Sequence, residues 1–410
     1  MFGLIFLFSL HNCFSVGYSN LELSVPVIEE KENVHKLFFY NGRPYVFAKV
    51  YFTENDFVEG FFLLDTGYPK SVLFLNYFQN FFGKEKIEII EANNCEYVKC
   101  DIFFDTMTIK NLSITIENYL SKDFFKNINK KYIGIIGSDI LFSKSFYLSL
   151  TKQEFGWIDD IKLPENTKKI ELIPFYQKNV APLYQVEIED NFFKSSENYT
   201  MFLSDDKSKS KYFVDTGSYF IFTSSFSDFY EIVKNKQLDF IMYKNYANPY
   251  GISFINKATF FEQSLNNIFF AGGNFGRGEL KVLGCQILGA FDLIFEKQNN
   301  QIKYLFLVPV EREKYEKFRK DNDNMQFFSV NTYGFLADNF GVVTHKAYYQ
   351  GKEIAPNIKI GDKILQMNNL PFDDVAEWTL PENVKIKILR KNEIVKLNIK
   401  RKKMEYESEE

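Results

Sequence analysis

FFLLDTGYPKSVLF, residues 61–74, is the stretch that decides the fold, because the chain repeats its pattern at KYFVDTGSYFIFT, residues 211–223. Each copy runs apolar residues into Asp-Thr-Gly, breaks briefly, and resumes an apolar run. The two aspartates, Asp65 and Asp215, stand 150 positions apart. Short apolar runs bounded by turn-forming residues read as strands. Each copy is therefore a strand that delivers a carboxylate into a tight turn. Two such deliveries in one chain predict two halves that meet and pool their aspartates.

The flanks repeat as well. Asn41-Gly42 is a turn signal, and residues 44–65 predict a hairpin whose second strand ends at Asp65. CEYVKCDIFFDTMTIKNLSITIENYL predicts two alternating strands with a turn near Lys110-Asn111. KYIGIIGSDILF predicts a buried strand, Gly137 and a short helix from Ser138 or Asp139; FYLSLTKQEFGWI closes the unit with a hairpin around Lys152-Gln153. Residues 159–169 are polar and read as a linker, after which the order returns. Residues 182–188 match the strand after Pro44, a polar insertion at 190–210 precedes the second Asp-Thr-Gly, and alternating strands follow it. VLGCQILGAFDLIFEKQNNQIKYLFL then supplies strand, Gly289, short helix and hairpin. Asp65 to Gly137 spans 72 positions and Asp215 to Gly289 spans 74. Two units are too few for a solenoid, so a two-fold pairing of lobes is the solution the repeat predicts.

Length and composition bound the rest. The 410 residues hold room for several domains, and 46% hydrophobic residues supply a large core. The net charge of −4, with acid and base interspersed, leaves no electrostatic footprint for nucleic acid. Residues 1–20 contain an apolar run too short to span a bilayer but suited to a secretory signal, so export is expected. Among the four cysteines, Cys95 and Cys100 are spaced either for a small disulfide or as two ordinary thiols, and no zinc spacing is present. The three histidines, His11, His35 and His345, lie away from any nucleophile motif, which removes serine and cysteine hydrolase chemistry.

Two carboxyls about a water's width apart cannot both ionise easily; one holds a proton while the other stays charged. The ionised partner can take a proton from water and the protonated one can polarise a carbonyl, which is the chemistry of peptide hydrolysis. Threonine in the triplet can hydrogen-bond across the interface, and glycine lets the backbone turn beside the carboxylate. No metal or organic cofactor is required.

Residues 61–71 with Ile135-Ile136-Gly137, and residues 212–223 with Ile287-Leu288-Gly289, resemble the retropepsin-type aspartic proteases, including bacterial aspartyl-protease-like proteins. The resemblance covers residues 30–310. It implies a mainly β fold of two tandem acid-protease β-barrel lobes in one chain, a pepsin-like monomeric pseudo-dimer. It assigns Asp65 and Asp215 as the catalytic pair, supported by Thr66, Gly67, Thr216, Gly217 and Ser218. The family usually has Ser, Thr or Ala after the triplet, its hydroxyl supporting the carboxylate. Ser218 fits and Tyr68 does not, so a catalytically degenerate peptide-binding or scaffolding protein is the rival reading. A homodimer with like lobes paired between chains is a second. The family also closes a hairpin flap over substrate. Residues 93–99 are its place in the first lobe, with Cys95 and Cys100 as a brace, and residues 248–251 in the second, where Tyr250 would reach substrate.

EREKYEKFRKDNDN, residues 311–324, is charged and reads as a helical connector. Beyond them IKIGDKILQMNN, residues 358–369, with Tyr333-Gly334-Phe335 upstream and two later strands, resembles a PDZ domain. PDZ domains bind a peptide as an added strand with its C-terminal carboxylate in a backbone nest, which would place Tyr333, Gly334 and Phe335 in the binding loop. The expected division is a signal at 1–20, lobes at 30–158 and 170–310, and a PDZ-like domain at 325–402. The expected partners are a polypeptide substrate and a peptide C-terminus.

Overall fold

The computed structural model describes residues 27–30, 34–40, 42–74, 89–92, 95–104, 107–117, 132–176, 180–194, 199–204, 209–223, 225–235, 238, 240–244, 249–273, 281–323, 333–337, 341–372 and 381–402. The expected signal segment lies outside these residues, as do residues 93–94 of the first proposed flap and residue 248 of the second. The chain is mainly β.

Phe57–Leu64, the strand that ends at Asp65, lies antiparallel to Arg43–Tyr51 and parallel to Tyr132–Ile136. From Tyr132–Ile136 the ladder passes to Val72–Phe74, then Met107–Glu117, then Cys95–Phe104, which returns to Arg43–Tyr51. A 6-strand barrel closes in this way, so the sheet has no open edge along that circuit. The burial explains it: Phe62, Leu64, Val46, Val50, Ile102 and Ile114 alternate into one core.

The second half repeats the circuit with one strand more. Lys209–Val214 lies between Leu183–Lys194 and Lys281–Leu283. Ile221–Thr223, Gln263–Gly273, Tyr250–Phe260 and Tyr199–Ser204 lead back to Leu183–Lys194. The added strand, Tyr199–Ser204, corrects the reading of 190–210 as a polar insertion. Met201 and Leu203 face the core, and the polar residues flanking this short strand hide its alternation.

Three further local readings change. The expected turn near Lys110-Asn111 is a bulge inside Met107–Glu117: Cys100 pairs Leu112 and Ile102 pairs Ile109, so two residues oppose Asp101. Asn111 has φ 55 there, and its N–H reaches the Asp101 carboxylate at 2.8 Å. The expected linker at 159–169 ends in a strand, Lys168–Glu171. A helix, Phe226–Asn235, stands where strands were expected; its start carries a Ser-x-x-Asp signal, Ser225 Oγ accepting the Asp228 N–H at 3.2 Å.

The two halves are joined by a 6-stranded sheet in the order Lys168–Glu171, Gln301–Pro309, Phe291–Gln298, Phe146–Ser149, Glu154–Trp157, His35–Lys36. Its centre pairs the closing hairpin of each half, Leu148 opposite Leu293 and Phe146 opposite Phe295. One core runs through both halves, while the C-terminal module has its own, built on Ile358, Ile364, Met367, Ile386 and Ile388. The module is not a detached bead, however. Its strand Val343–Tyr349 pairs with Phe240–Lys244 and so extends the second half's sheet. The helix Arg312–Asp323 connects them and packs on the second half, Tyr315 donating to the Gln286 carbonyl at 2.7 Å.

Candidate active site

The sequence puts each Asp-Thr-Gly at the end of a parallel strand pair, and this fixes the turn. Asp65 N–H donates to the Ile136 carbonyl at 3.0 Å, and Asp215 N–H to that of Leu283 at 3.1 Å. Tyr68 and Ser218 N–H groups each return to their own aspartate's carbonyl at 3.3 Å. Ser138 N–H then donates to the Tyr68 carbonyl, and Cys285 N–H to that of Ser218, both at 2.8 Å. The matching glycines open the two short helices in the same conformation, Gly137 at φ −93 and ψ −175 and Gly284 at φ −96 and ψ −179.

This pairing corrects the second half of the repeat. The counterpart of Ile135-Ile136-Gly137 is Val282-Leu283-Gly284, not Ile287-Leu288-Gly289. Ile287 and Leu288 lie in the helix Cys285–Leu288 and are as buried as a strand would be. An apolar run alone does not separate the two cases. Gly289 has a different use: a Cβ there would stand 2.6 Å from the Phe318 ring.

The two loops meet through their threonines. Thr66 N–H donates to Thr216 Oγ1 and Thr216 N–H to Thr66 Oγ1, each at 3.1 Å. The hydroxyls donate onward across the interface, Thr66 to the Val214 carbonyl at 2.8 Å and Thr216 to that of Leu64 at 2.7 Å. Both side chains are buried, so each hydroxyl is donor and acceptor where water does not compete. The glycines serve the opposite half. A Cβ on Gly217 would lie 2.0 Å from Asp65 Oδ2, and one on Gly67 would lie 2.3 Å from Asp215 Cγ. Each carboxyl thus rests over the other loop's backbone, and only glycine leaves that space.

The two carboxyl groups are hydrogen-bonded to one another. Burial pushes Asp65 well above the ordinary carboxylate range, and the negative charge of Asp215 and their shared hydrogen bond push it further. Burial also raises Asp215, opposed by its bonds with Asp65 and with the N–H groups of Gly217 and Ser218. Ser218 N–H reaches Asp215 Oδ1 at 3.1 Å, and Gly67 N–H reaches Asp65 Oδ1 at 2.9 Å. One proton on Asp65 and one charge on Asp215 is the arrangement these contacts favour.

The residues after the triplets do not act as the sequence led us to expect. The Ser218 hydroxyl points to the Phe220 carbonyl at 3.4 Å and supports no carboxylate; its backbone N–H does that. Tyr68 therefore deprives Asp65 of no hydroxyl that its twin supplies. Its own hydroxyl donates to Glu117 at 2.9 Å, and burial raises the Glu117 carboxyl. The loop is braced instead by Ser71, which the sequence reading missed. Ser71 Oγ accepts the Gly137 N–H at 2.9 Å and donates to Asp139 at 2.7 Å.

The other predicted residues fall elsewhere. Tyr250 opens the strand Tyr250–Phe260, stacked on Tyr243 at 4.7 Å and edge-on to His345 at 5.7 Å. It is built into the junction with the C-terminal module, which corrects its expected place on a flap. Cys95 and Cys100 share the strand Cys95–Phe104. Five residues of strand separate them by roughly 16 Å, beyond the reach of a disulfide, and Cys100 is a free, buried thiol. Tyr333, Gly334 and Phe335 do form a bend and strand start: Gly334 has φ 93 and its carbonyl accepts the Ala347 N–H at 2.8 Å. The Tyr333 and Phe335 side chains lie in the module's core. Among the described residues no cluster of His, Cys, Asp and Glu is placed to hold a metal ion, and no helix is long and apolar enough to cross a membrane.

No family model matches the chain, and no curated protein matches it.

Proposed function

We propose that this protein is an aspartic endopeptidase of retropepsin-like design, two lobes in one chain, hydrolysing peptide bonds through Asp65 and Asp215. The observation that carries the reading is the pair of mutually hydrogen-bonded carboxyls held on matching loops by reciprocal threonine bonds. Ionised Asp215 takes a proton from water while protonated Asp65 hydrogen-bonds the scissile carbonyl. The water oxygen adds to the carbonyl carbon, the Asp65 proton passes to its oxygen, and the resulting diol collapses with proton transfer to the leaving amine. Water bound between the carboxyls is the nucleophile, so no covalent enzyme intermediate is needed. The dyad titrates as a pair.

The C-terminal module is proposed as a PDZ-like peptide-binding unit. Phe335–Ala337 ends the 12-stranded sheet, and its outer edge carries no partner strand among the described residues, which suits strand addition by a peptide. The apolar N-terminal run supports export.

The test is cleavage of a random peptide library from acid to neutral pH, with and without a statine-type transition-state analogue. Turnover that the analogue inhibits is expected. Absence of turnover with retained peptide binding would replace this reading with the degenerate binding protein.

A further inference from the structure

Arg43 opens the strand Arg43–Tyr51 and is 3% exposed. Tyr45 pairs with Leu63 across the ladder, so continuing that register by two residues sets Arg43 beside Asp65. Its guanidinium is hydrogen-bonded to Tyr45, and its positive charge is felt at Asp65, Asp215, Cys285 and Tyr40 as well. Yet its Nε–H is buried without a hydrogen-bond partner, and no carboxylate of the described residues forms an ion pair with it.

That is an expensive arrangement to leave empty. A buried guanidinium is normally paired, and the shared negative charge of the dyad balances Arg43 only through space. The other half offers no counterpart. Gln185 pairs with Phe213 as Tyr45 pairs with Leu63, which makes Leu183 the equivalent of Arg43. By that register a cationic residue stands beside Asp65 and an apolar one beside Asp215. A guanidinium presents a planar fork that matches a carboxylate.

We propose that Arg43 is a specificity residue that takes a carboxylate of the bound polypeptide, so that the site prefers substrates with an acidic group beside the scissile bond. This rests on the dyad reading for the word substrate, but binding tests it separately. The carboxylate is either an Asp or Glu side chain or the free end of a chain, and Arg43 recognises both by the same contact.

The experiment measures binding of labelled peptide pairs, Glu against Gln at each position and free against amidated C-terminus, to the Asp215→Asn protein with Arg43 intact or changed. With Arg43 present, one position or the free end should bind about tenfold tighter when charged, the scale of a hydrogen bond to a charged group. Arg43→Met should bring that ratio to near unity, and Arg43→Lys should keep part of it. If Arg43→Met does not fold, the Lys and Gln variants give the same contrast between charged and neutral side chains. No charged preference at any position, or one that survives Arg43→Met, overturns the proposal. So does an equal loss on charged and neutral peptides, which would mean Arg43 only balances the dyad. A charged preference without turnover by the unmodified protein would sink the dyad reading and leave this one standing.

Discussion

The main chains of Asp65 and Asp215 make the same backbone hydrogen bonds, yet the side chains that brace their loops differ. In the first half Ser71 ties the loop to Asp139 and to the Gly137 N–H. In the second half those positions are Ile221 and Gln286, and Gln286 turns away to accept the Phe269 N–H at 2.8 Å. Tyr68 reaches Glu117 where Ser218 reaches only a neighbouring carbonyl. Arg43 stands where the second half has Leu183. What is held in common is what crosses the interface: aspartate, threonine, glycine. A group that must meet its own image is constrained twice, whereas a brace behind the loop answers only to its own barrel.

That contrast orders the expected effects. Thr66→Ala and Thr216→Ala should each cost about 2–5 kcal/mol, because each strands a buried N–H and a buried carbonyl in the opposite half. Thr66→Ser, which keeps both bonds, should recover most of the loss in a denaturant titration. The double alanine variant should depart from the sum of the two singles, since both threonines belong to one bond network; strict additivity would mean the loops are not locked together. Ser71→Ala should cost about 1–3 kcal/mol by leaving the Gly137 N–H without its acceptor and Asp139 with one donor fewer. Ile221→Ala should cost about as much for an unrelated reason, lost packing, and only the first should also lower turnover.

The dyad also predicts a pH-dependent stability. Both carboxyls titrate above the ordinary value of 3.8 in the folded chain. A raised acid contributes stability that is complete below its unfolded pKa and is lost as pH rises through its folded pKa. Asp65→Asn should therefore leave Tm unchanged at about pH 3 and raise it by a few degrees at about pH 7 relative to the unmodified protein. A gap that is constant with pH would show that Asp65 does not hold the raised proton. The smallest effect belongs to Ser218→Ala, within about 0.5 kcal/mol, while Tyr68→Phe should cost about 1–3 kcal/mol by leaving half-buried Glu117 short of a donor.

Much of this was legible in the sequence because it is local and repeated. The strand into Asp65, the turn at Gly42 and the helix after Gly137 all follow from apolar runs and turn residues within a few positions. The register of the second half was not, because VLGCQILG offers two apolar-apolar-glycine candidates and only the parallel pairing of Val214 with Leu283 chooses between them. Tyr250 misled for a like reason: a turn signal does not say that a strand from about 100 residues later in the chain, 343–349, will cover the hairpin. Ser71, Asp139 and Arg43 carry no motif. Their roles exist only once strands distant in sequence are side by side.

The central claim is that one proton is shared by two aspartates from the two halves. The direct measurement is turnover of the same peptide library by the unmodified protein, Asp65→Asn and Asp215→Asn, under one set of conditions. The account predicts clear turnover by the first and a loss of at least about a thousandfold in both variants. Full activity in either variant would contradict it.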